Sequence, residues 1–185
     1  MTLHGLLLAA GAGSRMGTPK ALVRDDDGTS WLQRSVEVLR AGGCDEVTVV
    51  LGAADDEARP LLEGTGAGVV VAGDWAEGMS ASLRAGLASL TGSGADAALV
   101  TLVDLPDVTA DVLARVVDLG VDPGVLARAA YDGRPGHPVL LGRDHWAGVV
   151  ATATGDRGAR DYLADHMVFV VECGDLATGR DVDSR

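Results

Sequence analysis

Four short runs of apolar and β-branched residues, Leu3 to Ala9, Val47 to Leu51, Gly68 to Ala72 and Ala97 to Val103, alternate with stretches in which apolar residues recur at helical spacing. A strand followed by a helix returns the chain to start the next strand in the same direction. This alternation predicts a parallel sheet covered by helices on both faces. In the first helix Thr29 or Ser30 serves as the cap, Leu32, Val36 and Leu39 fall at i, i+4 and i+7, and Gly42 and Gly43 end it. Later helices are marked by Leu83, Leu87 and Leu90, and by Val112, Leu113, Val116 and Val117. Ala21 to Val23 reads as a brief extended piece, and the polar stretch from Asp55 to Glu63 is interrupted by Pro60. Beyond residue 120 the rhythm changes. Val125 to Ala130 and His137 to Leu141 read as an antiparallel pair around a turn from Tyr131 to Gly136. Helices at 143–153 and 158–165 and a strand from Val168 to Glu172 follow. The expectation is a single α/β domain over 1–185: a three-layer α/β/α, mostly parallel sheet with a small antiparallel β insertion.

A chain of 185 residues is long enough to bury roughly 70% of the surface its unfolded form exposes, without a disulfide or structural metal. Cys44 and Cys173 are isolated thiols, as expected in a reducing cytoplasm. The first residues lack the basic start of a signal peptide, and no apolar run approaches the ~20 residues of a membrane span. A formal charge of −12 repels nucleic acid and anionic membrane, so neither is an expected partner. An anionic ligand must therefore be held by a local basic patch.

Such a patch follows the first strand. Lys20 is the only lysine and closes a glycine-rich run from Leu8 in which Gly11, Gly13 and Gly17 bracket Arg15. Backbone amides in such a loop can approach phosphate closely. An ordinary α/β turn would leave Arg15 and Lys20 idle. A dinucleotide site expects G-x-G-x-x-G and an acid after the second strand, whereas the spacing here is G-x-G-x-x-x-G without that acid. A phosphate-binding P-loop is excluded, because Lys20 follows no G-x-x-x-x-G and precedes Ala21.

The run Leu8-Ala-Ala-Gly-Ala-Gly-Ser-Arg-Met-Gly-Thr-Pro-Lys20 resembles the signature L-A-x-G-x-x-x-R-M/F-G-x-x-K of nucleotidyltransferases, in particular the MobA-like group acting on molybdenum cofactor. Gly78-Met-Ser-Ala-Ser-Leu-Arg84 with Gly86-Leu87, Leu102-Val-Asp-Leu-Pro106, Gly136-His-Pro-Val139, Gly155-Asp-Arg-Gly-Ala-Arg160 and Asp181-Val-Asp183 resemble later family elements in the same order. The resemblance implies a Rossmann-like fold of the nucleotide-diphospho-sugar transferase type and Mg²⁺-dependent transfer. It places Leu8, Ala9, Ala10, Gly11, Ala12, Gly13, Ser14, Met16 and Gly17 on the nucleotide, with Gly78, Met79, Ser80 and Ser82. His137, Pro138 and Asp156 fall on the acceptor side. In such a reaction a phosphate oxygen attacks the α-phosphorus, and catalysis is mainly positioning and charge neutralisation. Arg15 would meet the leaving pyrophosphate, Lys20 the α-phosphate, and Asp104 the Mg²⁺, with Asp183 or less readily Asp181 as a second carboxylate.

Leu8-Ala-Ala-Gly11 resembles the family members that use CTP, whereas Leu-Ala-Gly-Gly accompanies those that use GTP. The expected reaction is cytidylyl transfer from CTP to molybdopterin, with a molybdenum hydroxylase as a possible recipient of the product. A GTP-using guanylyltransferase or another phosphorylated acceptor is the alternative within the family. From other classes, an NAD(P)-dependent oxidoreductase would bind NADH or NADPH without Mg²⁺, and a noncatalytic nucleotide-binding module would bind CTP without turnover. The family's Asp-x-Asp-Thr-Pro segment here reads Asp-Val-Asp-Ser-Arg185, which departs from the pattern at the second metal position.

Overall fold

The computed structural model describes residues 1–182. Its strands are β1 (Leu3–Leu8), β2 (Glu46–Leu51), β3 (Gly68–Val71), β4 (Ala97–Leu102), β5 (Leu126–Tyr131), β6 (Arg134–Gly142) and β7 (Phe169–Glu172). The helices are α1 (Trp31–Ala41), α2 (Asp55–Ala58), α3 (Met79–Ser89), α4 (Ala110–Val117), α5 (Trp146–Thr152) and α6 (Arg160–Ala164). All seven strands form one sheet in the order β3-β2-β1-β4-β6-β5-β7. Every neighbouring pair is parallel except those made by β6, which runs against both β4 and β5. The antiparallel element expected from sequence is thus a strand inside the main sheet.

Alternation along the strands divides the core in two. Leu3 and Leu7 of β1 face one apolar cluster, with Leu32, Val36 and Leu39 of α1 and Val112, Leu113 and Val116 of α4. Leu6 and Leu8 face the other, with Leu83 and Leu87 of α3, Trp146 and Val149 of α5 and Leu163 of α6. Both faces of β1 are covered, so all six of its residues are buried and it does not alternate with solvent; its one polar side chain, His4, hydrogen-bonds with Thr48 Oγ1 at 2.8 Å. Truncating a fully buried leucine such as Leu7 or Leu99 is expected to cost about 2–5 kcal/mol.

Two local expectations are corrected. Lys20–Leu22 is a 3₁₀ turn rather than an extended piece, with the Leu22 amide donating to the Pro19 carbonyl. Pro19, at φ −53°, presets the start of that turn, a constraint stronger than the β preference of the residues after it. The turn expected over Tyr131 to Gly136 is only Asp132-Gly133, both at positive φ, the geometry a two-residue hairpin needs. Pro135 and Pro138 lie within β6, in the part that β4 does not pair, so no ladder hydrogen bond to β4 is lost.

Candidate active site

The chain leaves β1 for β2 and β3 on one side and then returns to β4 on the other. The gap between the ends of β1 and β4 is therefore a topological switch point, where α/β sheets leave a crevice. Leu8 pairs with Leu102, so the segments that follow the two strands emerge side by side. One carries the glycine-rich loop and Lys20; the other carries Asp104. The Lys20 ammonium donates to Asp104 Oδ2 in an ion pair whose side chains are both largely buried.

This pair lies in a cleft of about 370 Å³ lined by Leu8, Ala9, Ala10, Gly11, Ala12, Ser14, Gly78, Met79 and Ser82, among others. Of the remaining loop candidates, Arg15 is exposed, and Met16 is half-buried and packs against the first core cluster. Gly13 accepts from the amides of Met16 and Gly17, each at 2.9 Å, so those two amides close the loop on itself. Gly13, Arg15, Met16 and Gly17 are not among the residues lining the cleft. Trp75 is half-buried on its wall, where Ala76 and, from the Leu102-Val-Asp-Leu-Pro106 motif, Leu102 and Val103 join it.

The opposite wall is the start of α3. Gly78 precedes this helix at φ +110°, and a Cβ there would stand 2.5 Å from Asp156 Oδ1, so both its conformation and its surroundings call for glycine. Asp156 Oδ1 accepts from the Met79 amide at 3.3 Å, and Ser80 Oγ accepts from the Gly158 amide at 3.0 Å. Ser80 is fully buried and ties α3 to the segment 155–158, whereas Ser82 lines the cleft.

Behind Asp156 is a smaller pocket of about 90 Å³, which shares Leu8, Met79 and Asp156 with the cleft. His137, Arg128, Arg157 and Arg160 are among its lining residues. A β-bulge explains the placement of His137. Only Ala129 on β5 faces the three residues Gly136, His137 and Pro138 on β6, because the register moves from Arg128–Val139 to Ala130–Pro135. Bulges of this kind re-aim side chains. Desolvation, reinforced by the Arg128 charge, lowers the His137 pKa to about 4, so the imidazole is neutral near pH 7. Pro138 lines neither cavity. Sequence reasoning missed Arg128, although an arginine inside the otherwise apolar run Val125 to Ala130 was the available signal.

The C-terminal segment returns to the same place. Asp107 Oδ2 accepts from both the amide and the hydroxyl of Thr178, at 2.6 and 2.5 Å, and the Val182 amide donates to the Asp104 carbonyl at 3.0 Å. Asp181 is exposed beside that contact, while Asp183 lies outside the described residues. Among the described residues no group of three His, Cys, Asp or Glu forms a metal cage. One carboxylate in this cleft suits a hard cation that draws most of its ligands from substrate phosphates and water, as Mg²⁺ does. Asp104 would hold such an ion. Among the described residues no helix is long and apolar enough to cross a membrane.

The fold is shared with known proteins. The chain is 37% identical over 192 aligned residues to nicotine blue oxidoreductase of Paenarthrobacter nicotinovorans, covering 97% of this chain and 91% of the relative. It is 34% identical over 115 residues to the probable molybdenum cofactor guanylyltransferase of Rhodopirellula baltica, covering 62% of this chain and 54% of the relative. The solved Rv0371c protein of Mycobacterium tuberculosis superposes with a TM-score of 0.82 at 29% identity, covering 100% of this chain and 94% of that one. A manganese complex of that protein superposes at 0.79 and 28% identity, covering 98% of this chain and 94% of that one. The profile described as MobA-like NTP transferase domain matches residues 5–170, and the chain belongs to that family of nucleotidyltransferases.

Proposed function

We propose that this protein transfers CMP from CTP to molybdopterin with Mg²⁺ bound at Asp104, and releases pyrophosphate. An oxygen of the acceptor phosphate forms a bond to the α-phosphorus; the bond from that phosphorus to the β-phosphate oxygen breaks, and its electron pair leaves with pyrophosphate. The attacking phosphate is already ionised, so no general base is required. The observation that carries this reading is the Lys20–Asp104 pair at the mouth of the glycine-rich loop, in a cleft at the switch point of the sheet. In this reading Ala10, Gly11, Ala12 and Ser14 face the phosphates, Lys20 meets the charge that develops, and Gly78 and Ser82 border the nucleoside; Arg15, exposed outside the cleft lining, must turn inward to reach the leaving pyrophosphate. Bound Mg²⁺ supplies charge neutralisation of the triphosphate, with Asp183 as a second carboxylate in this proposal.

CTP is favoured by the Leu8-Ala9-Ala10-Gly11 pattern and by the Gly136-His137-Pro138-Val139 segment. GTP is the rival, represented by the relative from Rhodopirellula baltica. The reaction takes place in the cytoplasm in this reading, and a molybdenum hydroxylase receives the product. The protein is incubated with labelled CTP or GTP, Mg²⁺ and molybdenum cofactor. Transfer from GTP alone overturns the choice of nucleotide, and transfer from neither overturns the reaction.

A second reading, an NAD(P)-dependent oxidoreductase, is favoured by the relative from Paenarthrobacter nicotinovorans, which is aligned along nearly the whole chain. Against it, β2 ends at Leu51 and continues into Gly52-Ala53-Ala54, so no acid stands where a ribose is usually held. Tight binding of NADH or NADPH without Mg²⁺, with no binding of CTP, decides for this second reading.

A further inference from the structure

We propose that Arg128 and Arg160 form an anion subsite in the small pocket behind Asp156, and that it takes the phosphate monoester of the acceptor. The second half of this statement rests on the transferase reading; the first half does not.

The argument begins with unbalanced charge. The chain carries a formal charge of −12, yet among the described residues no carboxylate lies within ion-pair distance of Arg128 or Arg160. Arg157, in the same pocket, is already engaged: its Nε donates to Asp161 at 2.8 and 2.7 Å. Arg128 has one long hydrogen bond, from Nη2 to the Gly136 carbonyl at 3.3 Å, and its Nε is buried without a partner. A buried guanidinium donor left unmatched is costly, and a guanidinium fork fits the oxygens of a phosphate. Burial and the nearby Arg160 charge both push the Arg128 pKa below its ordinary value. Two like charges therefore share this pocket with no ion pair to either among the described residues: Asp156 on its wall accepts from the Met79 amide, and Asp161, whose pKa the Arg160 charge helps lower, is held by Arg157. His137, neutral at the same wall, competes for no anion and offers a further ring nitrogen.

Size agrees with this class of ligand. The pocket, at about 90 Å³, is the smaller of the two cavities and has room for a compact oxyanion. The adjoining cleft of about 370 Å³ is the place for rings and triphosphate. Because the two cavities share Leu8, Met79 and Asp156, a phosphate held by the arginines borders the nucleotide it attacks.

The test uses inorganic phosphate as the probe, titrated calorimetrically into the full chain without nucleotide or metal. Wild type is expected to bind phosphate in this pocket, and Lys20→Ala, which removes the ammonium from the adjoining cleft and unpairs Asp104, is expected to keep that binding. Arg128→Gln and Arg160→Gln are each expected to weaken it tenfold or more, with Arg128→Lys intermediate. Arg160 is exposed, so its replacement tests the subsite even if the Arg128 variants fold poorly. Unchanged binding in Arg160→Gln and Arg128→Gln, loss of binding only in Lys20→Ala, or no binding by wild type overturns the subsite. In steady-state transfer, both glutamine variants are expected to raise KM for the acceptor tenfold while KM for CTP stays constant. If wild type transfers no nucleotide while the phosphate pattern holds, the transferase reading falls and the anion subsite stands.

Discussion

Lys20 and Asp104 stand 84 residues apart in the chain and meet as an ion pair beside the ends of two adjacent parallel strands. The ammonium presets the carboxylate that the proposal assigns to the metal, so the two side chains act as one electrostatic unit. Lys20→Ala and Asp104→Ala are each expected to lower kcat for CTP-dependent pyrophosphate release by about 10²–10³, the loss typical of removing one charge stabiliser. The double variant should lose much less than the product of the two, since each single change already disables the pair. Near-normal turnover in both single variants refutes the assigned roles.

His137 predicts a pH dependence of stability. Its folded pKa is about 4, against an ordinary value of 6.5, with desolvation as the main cause and the Arg128 charge as the second. Between those values the unfolded chain binds the extra proton, so stability is fully present above about pH 6.5 and declines as pH falls toward 4. The whole shift corresponds to about 3 kcal/mol at ~1.4 kcal/mol per unit. Because the side chain is only half-buried and solvent reaches it through the pocket, about 1–2 kcal/mol is expected. Urea unfolding at pH 7.5 and pH 4.5 should show wild type losing that much more than His137→Gln; equal losses would mean the histidine is not held neutral.

The strands and the two loops of the cleft were legible in the sequence because local pattern fixes them. An apolar run ending in glycine, or in Asp104 before Leu105-Pro106, needs no distant partner to be read as a strand that delivers chemistry at its end. The position of β6 between β4 and β5 was not legible, because it depends on pairings across the sheet. Nor did spacing reveal that Ser80 turns inward to Gly158 while Ser82 lines the cleft. Arg128, Arg157 and Arg160 line one pocket because β5 and the start of α6 with the residues before it converge there, which no local pattern announces.

Asp107 anchors the C-terminal segment near Asp104 through two hydrogen bonds from Thr178. Asp107→Ala removes a charged acceptor, and a loss of about 1–2 kcal/mol in urea unfolding is expected, with Thr178→Val losing less because its amide still donates. Trypsin should cut after Arg180 faster in Asp107→Ala than in wild type. Equal cleavage rates would show that the segment is held by its other contacts, such as that from Val182 to the Asp104 carbonyl.

Gly78→Ala tests whether the start of α3 is shaped by its neighbours or only by its own backbone. A methyl group there would stand 2.5 Å from Asp156 Oδ1 and 2.7 Å from the Gly155 carbonyl oxygen, at φ +110°, which L side chains rarely adopt. We expect a loss of about 1–3 kcal/mol from the strained backbone, and a raised KM for CTP because Met79 and Ser82 on the cleft wall must shift. Replacing Asp156 by alanine in the same chain removes the carboxylate clash while leaving the carbonyl contact and the positive φ. The double variant should therefore recover stability only in part. Full recovery would place the whole conflict at Asp156, and no recovery would place it in the backbone of residues 78 and 155.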